Sequence, residues 1–408
     1  MSDHSQGRHD LLDVIHAALA AVDGRRTVRA ALESEPPQAL PVATIAIGKA
    51  ADSMSLGARD ALGDGVLRAL VITKDNHCGP ELQADRRYEI WETAHPVPDQ
   101  RSLDAGERLL AFINEIPRDT SLLFLISGGA SSLVEALEPG LDLAFLARTN
   151  AWLLASGLDI TMMNRIRKGL SRIKGGRLAT YLGDRPASAL MVSDVPGDDP
   201  AVIGSGALVA STPGPMPKNL PEWLRQKLRS PPDRVAPIPV RIVASLEDAK
   251  QAAARRSREL GYTVTVDSRF LDGDAERTGK ELAGRLIESP AGLTIYGGET
   301  TVHLPIDPGR GGRNQALAVA AAVVLKGHDD VFLAALGTDG TDGPTEDAGG
   351  LVDGGTVSRA ELRGHDAADC LRRADSGRFL EASGDLITTG PTGTNVMDLL
   401  LALKLEPR

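Results

Sequence analysis

The sequence predicts an α/β protein built from two domains. Short apolar runs alternate along the chain with longer helix-like stretches, which is typical of sheet strands joined by crossover helices. At 408 residues the chain is longer than one hydrophobic core usually organises. The stretch from Ser211 to Val240 is rich in proline and indicates a domain boundary. We therefore expect domains over residues 1–235 and 236–408, with a cleft between them.

Eight apolar runs predict strands, and four longer patterns predict helices. The strands are Thr44–Ile47, Ala69–Thr73, Leu122–Ile126, Ala189–Val192, Ile242–Ala244, Thr263–Val266, Leu293–Tyr296 and Val331–Ala335. The helices are Leu103–Asn114, Leu143–Ala155, Leu246–Leu260 and Ala275–Glu288. Most of the strands run into Gly, Ser, Lys or Asp within three residues, and open α/β sheets bind ligands outside the carboxyl ends of their strands.

Composition excludes several classes of function. The net charge is −10 and no basic run supplies a nucleic-acid-binding face, so we expect no nucleic-acid partner. No apolar run approaches the roughly 20 residues that cross a bilayer, so we expect no membrane contact. Two distant cysteines and a polar N-terminus without a signal-peptide pattern predict a cytoplasmic protein. The oligomeric state stays open.

Neither standard nucleotide-binding motif is present. The segment nearest to a P-loop, Gly273 to Lys280, has the wrong spacing, and Gly204-Ser205-Gly206 lacks the third glycine of a dinucleotide fingerprint. Instead, several predicted strands end in loops of glycine, hydroxyl and aspartate residues.

The first such loop is Ser127-Gly128-Gly129-Ala130-Ser131-Ser132, which follows the strand Leu122–Ile126. Glycine lets backbone N–H groups close around an anion, the three serines can donate hydrogen bonds to phosphate, and a following helix N-terminus would add positive potential. The alternative is a tight turn into a helix capped by serine.

Other loops carry carboxylates or further hydroxyls. Asp194, Asp198 and Asp199 follow one buried strand and Asp339 follows another; such oxygen ligands suit Mg²⁺, although an Asx-turn with an N-cap explains the first group equally well. Near the C-terminus, a loop rich in glycine and threonine contains Gly390, Thr392, Gly393 and Asn395.

Two cations precede or open predicted helices, where the helix dipole disfavours positive charge. Lys49 follows the first strand and Arg313 precedes an Ala-rich helix, so each is expected to meet an anion such as phosphate or carboxylate. The alternative for Arg313 is a surface residue of a flexible glycine loop. His95 is either an acid–base group or a satisfied loop residue, and Lys174 is a further candidate phosphate contact.

Together these segments resemble the glycerate 2-kinase family of tartrate-utilisation clusters, whose C-terminal part is called the MOFRL domain. The matching stretches, in order, are IGKAADSM, HPVPD, ISGGASSL, RKGLSRIKGGRLA, SDVPGDD, GGETTVHL, GRGGRNQ, GTDGTDGPT and TGPTGTNVMDLL. The resemblance implies a Rossmann-like N-terminal domain and a smaller C-terminal α/β domain. It also implies ATP as co-substrate, Mg²⁺ as cofactor, D-glycerate as acceptor and 2-phosphoglycerate as product, with Lys49 and Arg313 at the centre of the reaction.

In this interpretation the Ser127–Ser132 and Gly390–Asn395 loops, with Lys174, bind the ATP phosphates. Lys49 and Arg313 stabilise charge on the transferred group. Asp194 is the first choice for metal ligand or general base, followed by Asp198 and Asp339.

The chain departs from the family pattern at Gly169, Ala207, Ala210 and Ala316, so a related small hydroxy acid is an alternative acceptor. Two other functions stay open: an NAD(P)H-dependent hydroxypyruvate reductase and a non-catalytic nucleotide- or anion-binding regulator.

Overall fold

The computed structural model describes residues 3–210, 214–217, 219–232 and 235–406. The chain forms two compact units. The first unit is Gly24–Val243, and the second unit combines the N-terminal residues up to Asp23 with Ala244 onward. The described part of the chain has no helix that is both long and apolar enough to cross a bilayer.

The first unit contains a six-stranded sheet and eight α-helices among its described residues. Its strands are β1 (Val42–Ile47), β2 (Val66–Lys74), β3 (Tyr88–Thr93), β4 (Ser121–Ile126), β5 (Ala187–Val192) and β6 (Val240–Ala244). Its helices are α2 (Gly24–Ser34), α3 (Ala51–Leu62), α4 (Pro80–Gln83), α5 (Gln100–Glu115), α6 (Ala130–Leu133), α7 (Leu143–Ala155), α8 (Ile160–Leu170) and α9 (Glu222–Arg225).

The strand order of this sheet is β3-β2-β1-β4-β5-β6, and β1 to β5 pair in parallel. Strands β1 and β4 are buried along their whole length, as apolar central strands of a parallel sheet are. The chain builds outward from β1 on one side and from β4 on the other, so the direction of winding reverses between them. Open α/β sheets bind ligands at the carboxyl ends of strands beside such a reversal.

The second unit contains another six-stranded sheet. Its strands are β7 (Val264–Leu271), β8 (Gly292–Gly298), β9 (Val331–Gly337), β10 (Gly349–Asp353), β11 (Leu386–Ile387) and β12 (Asp398–Lys404). Its described helices are α1 (Asp3–Ala21), α10 (Leu246–Glu259), α11 (Ala275–Glu288), α12 (Arg313–Leu325), α13 (Thr356–Glu361), α14 (Ala367–Arg372) and α15 (Ser376–Ser383).

The sheet of the second unit is mixed rather than parallel. The order is β11-β10-β9-β12-β8-β7, and β12 runs antiparallel to both of its neighbours, β8 and β9. The carboxyl ends of β8 and β9 therefore meet the beginning of β12 at one edge of the sheet. The crossover pattern that the sequence indicates does not extend to β12, a strand that was not predicted.

The N-terminal helix α1 belongs to the core of the second unit. Leu11, Val14, Ile15 and Ala18 are fully or almost fully buried and pack in one cluster with residues of β9 and β12 such as Phe332. Their spacing of three to four residues places them on one face of the helix. The structural division thus differs from the predicted boundary at residue 235, which grouped this helix with the N-terminal domain.

The observed division also differs from the predicted one at the proline-rich segment. Strand β6 begins at Val240, after these prolines, and joins the edge of the first sheet beside β5. Residues 211–213, 218, 233 and 234 of the predicted boundary region lie outside the described residues. The α/β class is confirmed, and each of the eight predicted strands and four predicted helices overlaps an observed element. Strands β3, β10, β11 and β12 were not predicted.

Helix α12 is capped by a carboxylate from another loop. Its own N-cap residue is Gly312, which has no side chain, and Asp342 accepts hydrogen bonds from the backbone N–H groups of Asn314 at 3.1 Å and Gln315 at 2.8 Å. Asp342 is only 2% exposed. Its burial raises the pKa of this carboxyl from 3.8 to about 7, although the two backbone hydrogen bonds oppose the shift.

We expect the substitution Ile15→Ala to destabilise the protein. Ile15 is 1% exposed, and removing such a buried side chain typically costs about 2–5 kcal/mol of the free energy of unfolding. The control is Leu12→Ala on the same helix, because Leu12 is 38% exposed and its loss should cost no more than about 0.5 kcal/mol. Equal effects of the two variants in urea unfolding would contradict the packing of α1 described above.

We also expect Asp342 to make a contribution to stability that falls as the pH rises from about 4 to about 7. Because the pKa of Asp342 is raised to about 7 in the folded protein, the folded state holds more protons than the unfolded state in this window. Asp342→Asn should flatten this dependence, measured by urea unfolding in EDTA-containing buffers. The control Asp274→Asn changes another helix-capping aspartate of the same unit, at α11, and should leave the slope unchanged. An identical slope in all three proteins would rule out Asp342 as its source.

Candidate active site

The loops after β1 and β4 are bound directly to each other. The N–H of Lys49 donates to the carbonyl of Gly128 at 2.9 Å, and the N–H of Ala50 donates to Ser127 Oγ at 3.0 Å. The N–H of Gly48 donates in turn to Ile72 in β2 at 3.0 Å. Lys49 and the Ser127–Ser132 loop, predicted separately from the sequence, therefore belong to one place, at the carboxyl ends of the central strands.

Only glycine fits at position 48. Its φ of +132° is unfavourable for other residues, and a Cβ there would lie 2.1 Å from Ser127 Oγ and 2.6 Å from the Ser127 carbonyl oxygen. Ser127 is fully buried, and its hydroxyl accepts the Ala50 N–H. The buried Ser127 hydroxyl therefore joins the two loops by a hydrogen bond, and it is not an exposed phosphate ligand.

The other serines of this loop differ in their surroundings. Ser131 is exposed, and its Oγ lies 2.6 Å from Ser205 Oγ, whereas Ser132 Oγ donates to the carbonyl of Gly129 at 3.1 Å. Helix α6 is only one turn long, so little of the positive potential expected from a following helix N-terminus is available here. What remains for an anion is the backbone of Gly128 and Gly129 with the hydroxyl of Ser131.

Two side chains flank Gly129. Its φ is +82°, and a Cβ at this position would lie 3.1 Å from Lys49 Cγ and 3.2 Å from both Cδ2 and Nε2 of His95. The absence of a side chain at Gly129 thus leaves room for Lys49 and His95 against the same piece of backbone.

Lys174 forms a buried ion pair instead of facing an open loop. Its Nζ donates to Glu135 Oε2 at 2.6 Å and to the carbonyl of Ser131 at 2.7 Å, and its side chain is 7% exposed. Glu135 also accepts a hydrogen bond from Ser171 Oγ at 2.5 Å. Lys174 therefore orients the Ser131 backbone, a different role from the predicted direct phosphate contact.

The aspartate loop after β5 lies beside this region, because β5 neighbours β4 in the sheet. Asp194 and Asp198 are partly exposed, and Asp198 has a positive φ of 54°. Asp199 Oδ1 accepts the N–H of Ala201 at 2.9 Å, which is the Asx-turn that the sequence left as an alternative.

In the second unit, Arg313 is held by acidic side chains of the chain itself. Its Nε and Nη2 donate to the two carboxylate oxygens of Asp398 at 2.6 and 2.9 Å, and its Nη1 lies 3.0 Å from Glu299 Oε1. Burial lowers the pKa of Arg313, but its bonds to Asp398 outweigh this effect and hold the pKa above its usual range. The anion that the sequence analysis required in front of Arg313 is therefore, in this structure, Asp398.

Sequence reasoning missed Asp398. This residue is 2% exposed and begins β12, where its neighbours across the sheet are Gly298 of β8 and Gly337 of β9. Burial raises the pKa of its carboxyl, and the bond to Arg313 opposes that shift. A carboxylate at the head of the apolar run Leu399–Leu403 is the signal that would have found it, since an unpaired charge is costly there.

The loops after β9 and before β12 pack against each other. Thr392 Oγ1 donates to the carbonyl of Thr338 at 2.5 Å, and Thr338 Oγ1 accepts the N–H of Val396 at 2.8 Å. Gly390 and Gly393 both have positive φ, of 65° and 72°. The predicted Gly390–Asn395 loop is thus fixed in place beside the loop that carries Asp339.

Asp339 is 9% exposed, and its Oδ1 accepts both the N–H and the hydroxyl of Thr341, at 2.9 and 3.0 Å. Within the described residues, no three His, Cys, Asp or Glu side chains are grouped so as to form a metal site. Asp194 and Asp198 belong to the first unit and Asp339 to the second. Carboxylate oxygens of this kind suit Mg²⁺, which in proteins usually keeps several waters and substrate oxygens as ligands.

Three buried polar oxygens, beside Glu299, beside Arg313 and in the Gly390–Asn395 loop, lack hydrogen-bond partners in the described part of the chain. They are Thr300 Oγ1, just after Glu299; Asn314 Oδ1, beside Arg313; and Thr394 Oγ1, in the Gly390–Asn395 loop. Buried polar groups are nearly always hydrogen-bonded, so such atoms are candidates for contacts with a ligand or bound water.

Family models match both parts of the chain. A domain of unknown function, DUF4147, matches residues 10–219, and the MOFRL family matches residues 292–398.

Relatives match almost the whole chain. The D-glycerate 2-kinase of Thermotoga maritima is 35% identical over 96% of this chain and 97% of its own length. A putative hydroxypyruvate reductase of Agrobacterium vitis is 34% identical over 96% and 93%. The crystal structure of the Thermotoga maritima glycerate kinase superposes with a TM-score of 0.86 at 33% identity, covering 98% of this chain and all of that one. The chain therefore belongs to the glycerate 2-kinase family.

Proposed function

We propose that this protein transfers the γ-phosphoryl group of ATP to the 2-hydroxyl of D-glycerate, which gives 2-phospho-D-glycerate. The observation that carries the proposal is the joined pair of loops after β1 and β4. They place Lys49 beside the glycine backbone of residues 128 and 129, where the winding of the sheet reverses. The full-length similarity to a D-glycerate 2-kinase supports it.

The residues of the first unit bind phosphate in this proposal. The backbone of Gly128 and Gly129, the hydroxyl of Ser131 and the ammonium of Lys49 contact phosphate oxygens, because these groups donate hydrogen bonds or carry positive charge. Lys174 positions the same loop, because its ammonium donates a hydrogen bond to the carbonyl of Ser131.

In the second unit, Arg313 supplies a guanidinium whose orientation is fixed by neighbouring carboxylates. Asp398 fixes two nitrogens of the Arg313 guanidinium, so the direction of its remaining donors is determined by the fold. A fixed guanidinium stabilises negative charge as it develops on a transferred phosphoryl group, and it costs little to reorganise during the reaction. It also suits the carboxylate of a hydroxy acid. We assign the Gly390–Asn395 loop, with Gly390, Thr392, Gly393 and Asn395, to ATP phosphates.

We assign Asp194, Asp198 and Asp339 as candidate ligands of Mg²⁺. When bound, this ion would neutralise charge on the phosphate oxygens, which is its usual contribution to phosphoryl transfer.

A hydroxypyruvate reductase is the second candidate, because one relative bears that name and the strand order of the first sheet is also that of dinucleotide-binding domains. However, the loop after β1 reads Gly48-Lys49-Ala50 and lacks the glycine fingerprint that admits a dinucleotide pyrophosphate. The kinase is therefore the better supported function.

We expect the purified protein to form ADP and 2-phosphoglycerate from ATP and D-glycerate, and to lose this activity in EDTA. The products are measured by a coupled ADP assay and by chromatography of the phosphoglycerates. NADH oxidation with hydroxypyruvate is followed in parallel as the test of the reductase. Formation of 3-phosphoglycerate alone, or NADH oxidation without ADP formation, would refute the proposal. Other small hydroxy acids, tested in the same assay, define the acceptor.

We expect Lys49→Ala and Arg313→Ala each to lower kcat by on the order of a hundredfold or more, because each removes a charged contact to the transition state. The matched control is Arg277→Ala, which removes an exposed arginine from the first turn of α11 and should leave kcat unchanged. Circular dichroism checks that the variants are folded. An unchanged kcat with a raised KM would instead show that these residues bind the ground state.

A further inference from the structure

His95 lies next to the phosphate-binding loop although its strand does not. In the sheet, β2 lies between β3 and β1, and both β2 and β1 lie between β3 and β4. The connection is made at the end of β3, where the buried Thr93 donates from its Oγ1 to the carbonyl of Leu133 at 2.9 Å, in the turn of α6. This bond draws the segment after β3 toward the loop after β4.

The segment that carries His95 is also held at its other end. Asp99 caps α5: its carboxylate accepts the N–H of Ser102 at 3.3 Å, and Ser102 Oγ accepts the N–H of Asp99 at 3.3 Å. Thr93 and Asp99 therefore anchor both sides of a five-residue connection. Its histidine has a defined position rather than the freedom of a long surface loop.

The imidazole edge faces the same backbone as Lys49. Its Nε2 and Cδ2 lie 3.2 Å from the position of a Cβ on Gly129, and Lys49 Cγ lies 3.1 Å from that position. The two side chains thus share the space that Gly129 leaves open, two residues before Ser131. A group bound to this loop would lie close to both.

The two side chains differ in what they can do there. A lysine ammonium donates hydrogen bonds and suits charged phosphate oxygens, whereas an imidazole accepts and releases a proton in the neutral range. Transfer to an alcohol requires this second ability: the acceptor oxygen forms a bond to the γ-phosphorus, the bond from that phosphorus to the ADP oxygen breaks, and the hydroxyl proton must leave.

We propose that His95 is a catalytic residue that takes the proton from the acceptor hydroxyl of the hydroxy acid as this hydroxyl attacks the phosphoryl group. The proton binds to Nε2 and then passes to solvent, so no further reactant is needed. The proposal rests on the kinase function proposed above, and it leaves Asp194 as a metal ligand rather than as the base.

The test compares His95→Gln and His95→Ala with the wild-type protein. Glutamine keeps a hydrogen-bonding amide at this position but cannot accept the proton, so we expect kcat to fall on the order of a hundredfold or more in both variants, while KM for ATP changes little. Imidazole added to the assay should restore part of the turnover of His95→Ala and leave the wild type unchanged. His328→Gln, at an exposed histidine of the second unit, serves as the control and should keep full activity.

Wild-type kcat in His95→Gln would overturn the role of His95, and so would a loss in His95→Ala that imidazole does not restore. These outcomes differ from a failure of the proposed function, in which the wild-type protein itself would form no phosphoglycerate.

Discussion

The contact between the loops after β1 and β4 is the constraint on which the first unit's site depends. Two parallel strands that neighbour each other at a reversal of winding leave a crevice, but the crevice becomes specific only when the loops above it are fixed. Here the backbones approach so closely that position 48 has no room for a Cβ. Because the loops are joined in this way, Lys49, Gly129 and His95 are positioned by hydrogen bonds and by sheet geometry rather than by flexible surface contacts.

In the second unit, ion pairs position the candidate site residue Arg313, whereas in the first unit backbone hydrogen bonds position the loops. Arg313 begins a helix, which is an unfavourable place for a cation, and buried carboxylates compensate: Asp342 caps the helix and Asp398 binds the guanidinium. These acids lie in surroundings that raise their pKa values, so each is itself costly without its partner. An arginine held in this way has its direction fixed before any substrate arrives, which is the form of preorganisation that favours charge stabilisation.

The sequence predicted the elements well and their partners less well. Apolar runs such as Leu122–Ile126 and the glycine loops behind them are local signals, and the structure has strands and loops at these places. Asp398 and the pairing of Lys174 with Glu135 depend on residues far apart in the chain, which periodicity does not connect. Helix α6 ends at Leu133, whose carbonyl accepts the hydroxyl of Thr93, a partner 40 residues away that the local sequence pattern does not indicate.

The placement of α1 has a consequence for synthesis of the chain on the ribosome. The helix is synthesised well before β9 and β12, the strands that its apolar face packs against, which begin more than 300 residues later in the chain. Until then Leu11, Val14 and Ile15 lack these neighbours, whereas the sheet of the first unit is complete once β6 has been synthesised. During synthesis of the intervening residues the apolar face of α1 lacks its strand partners, and apolar surface left exposed in this way is a target for chaperones that act during translation.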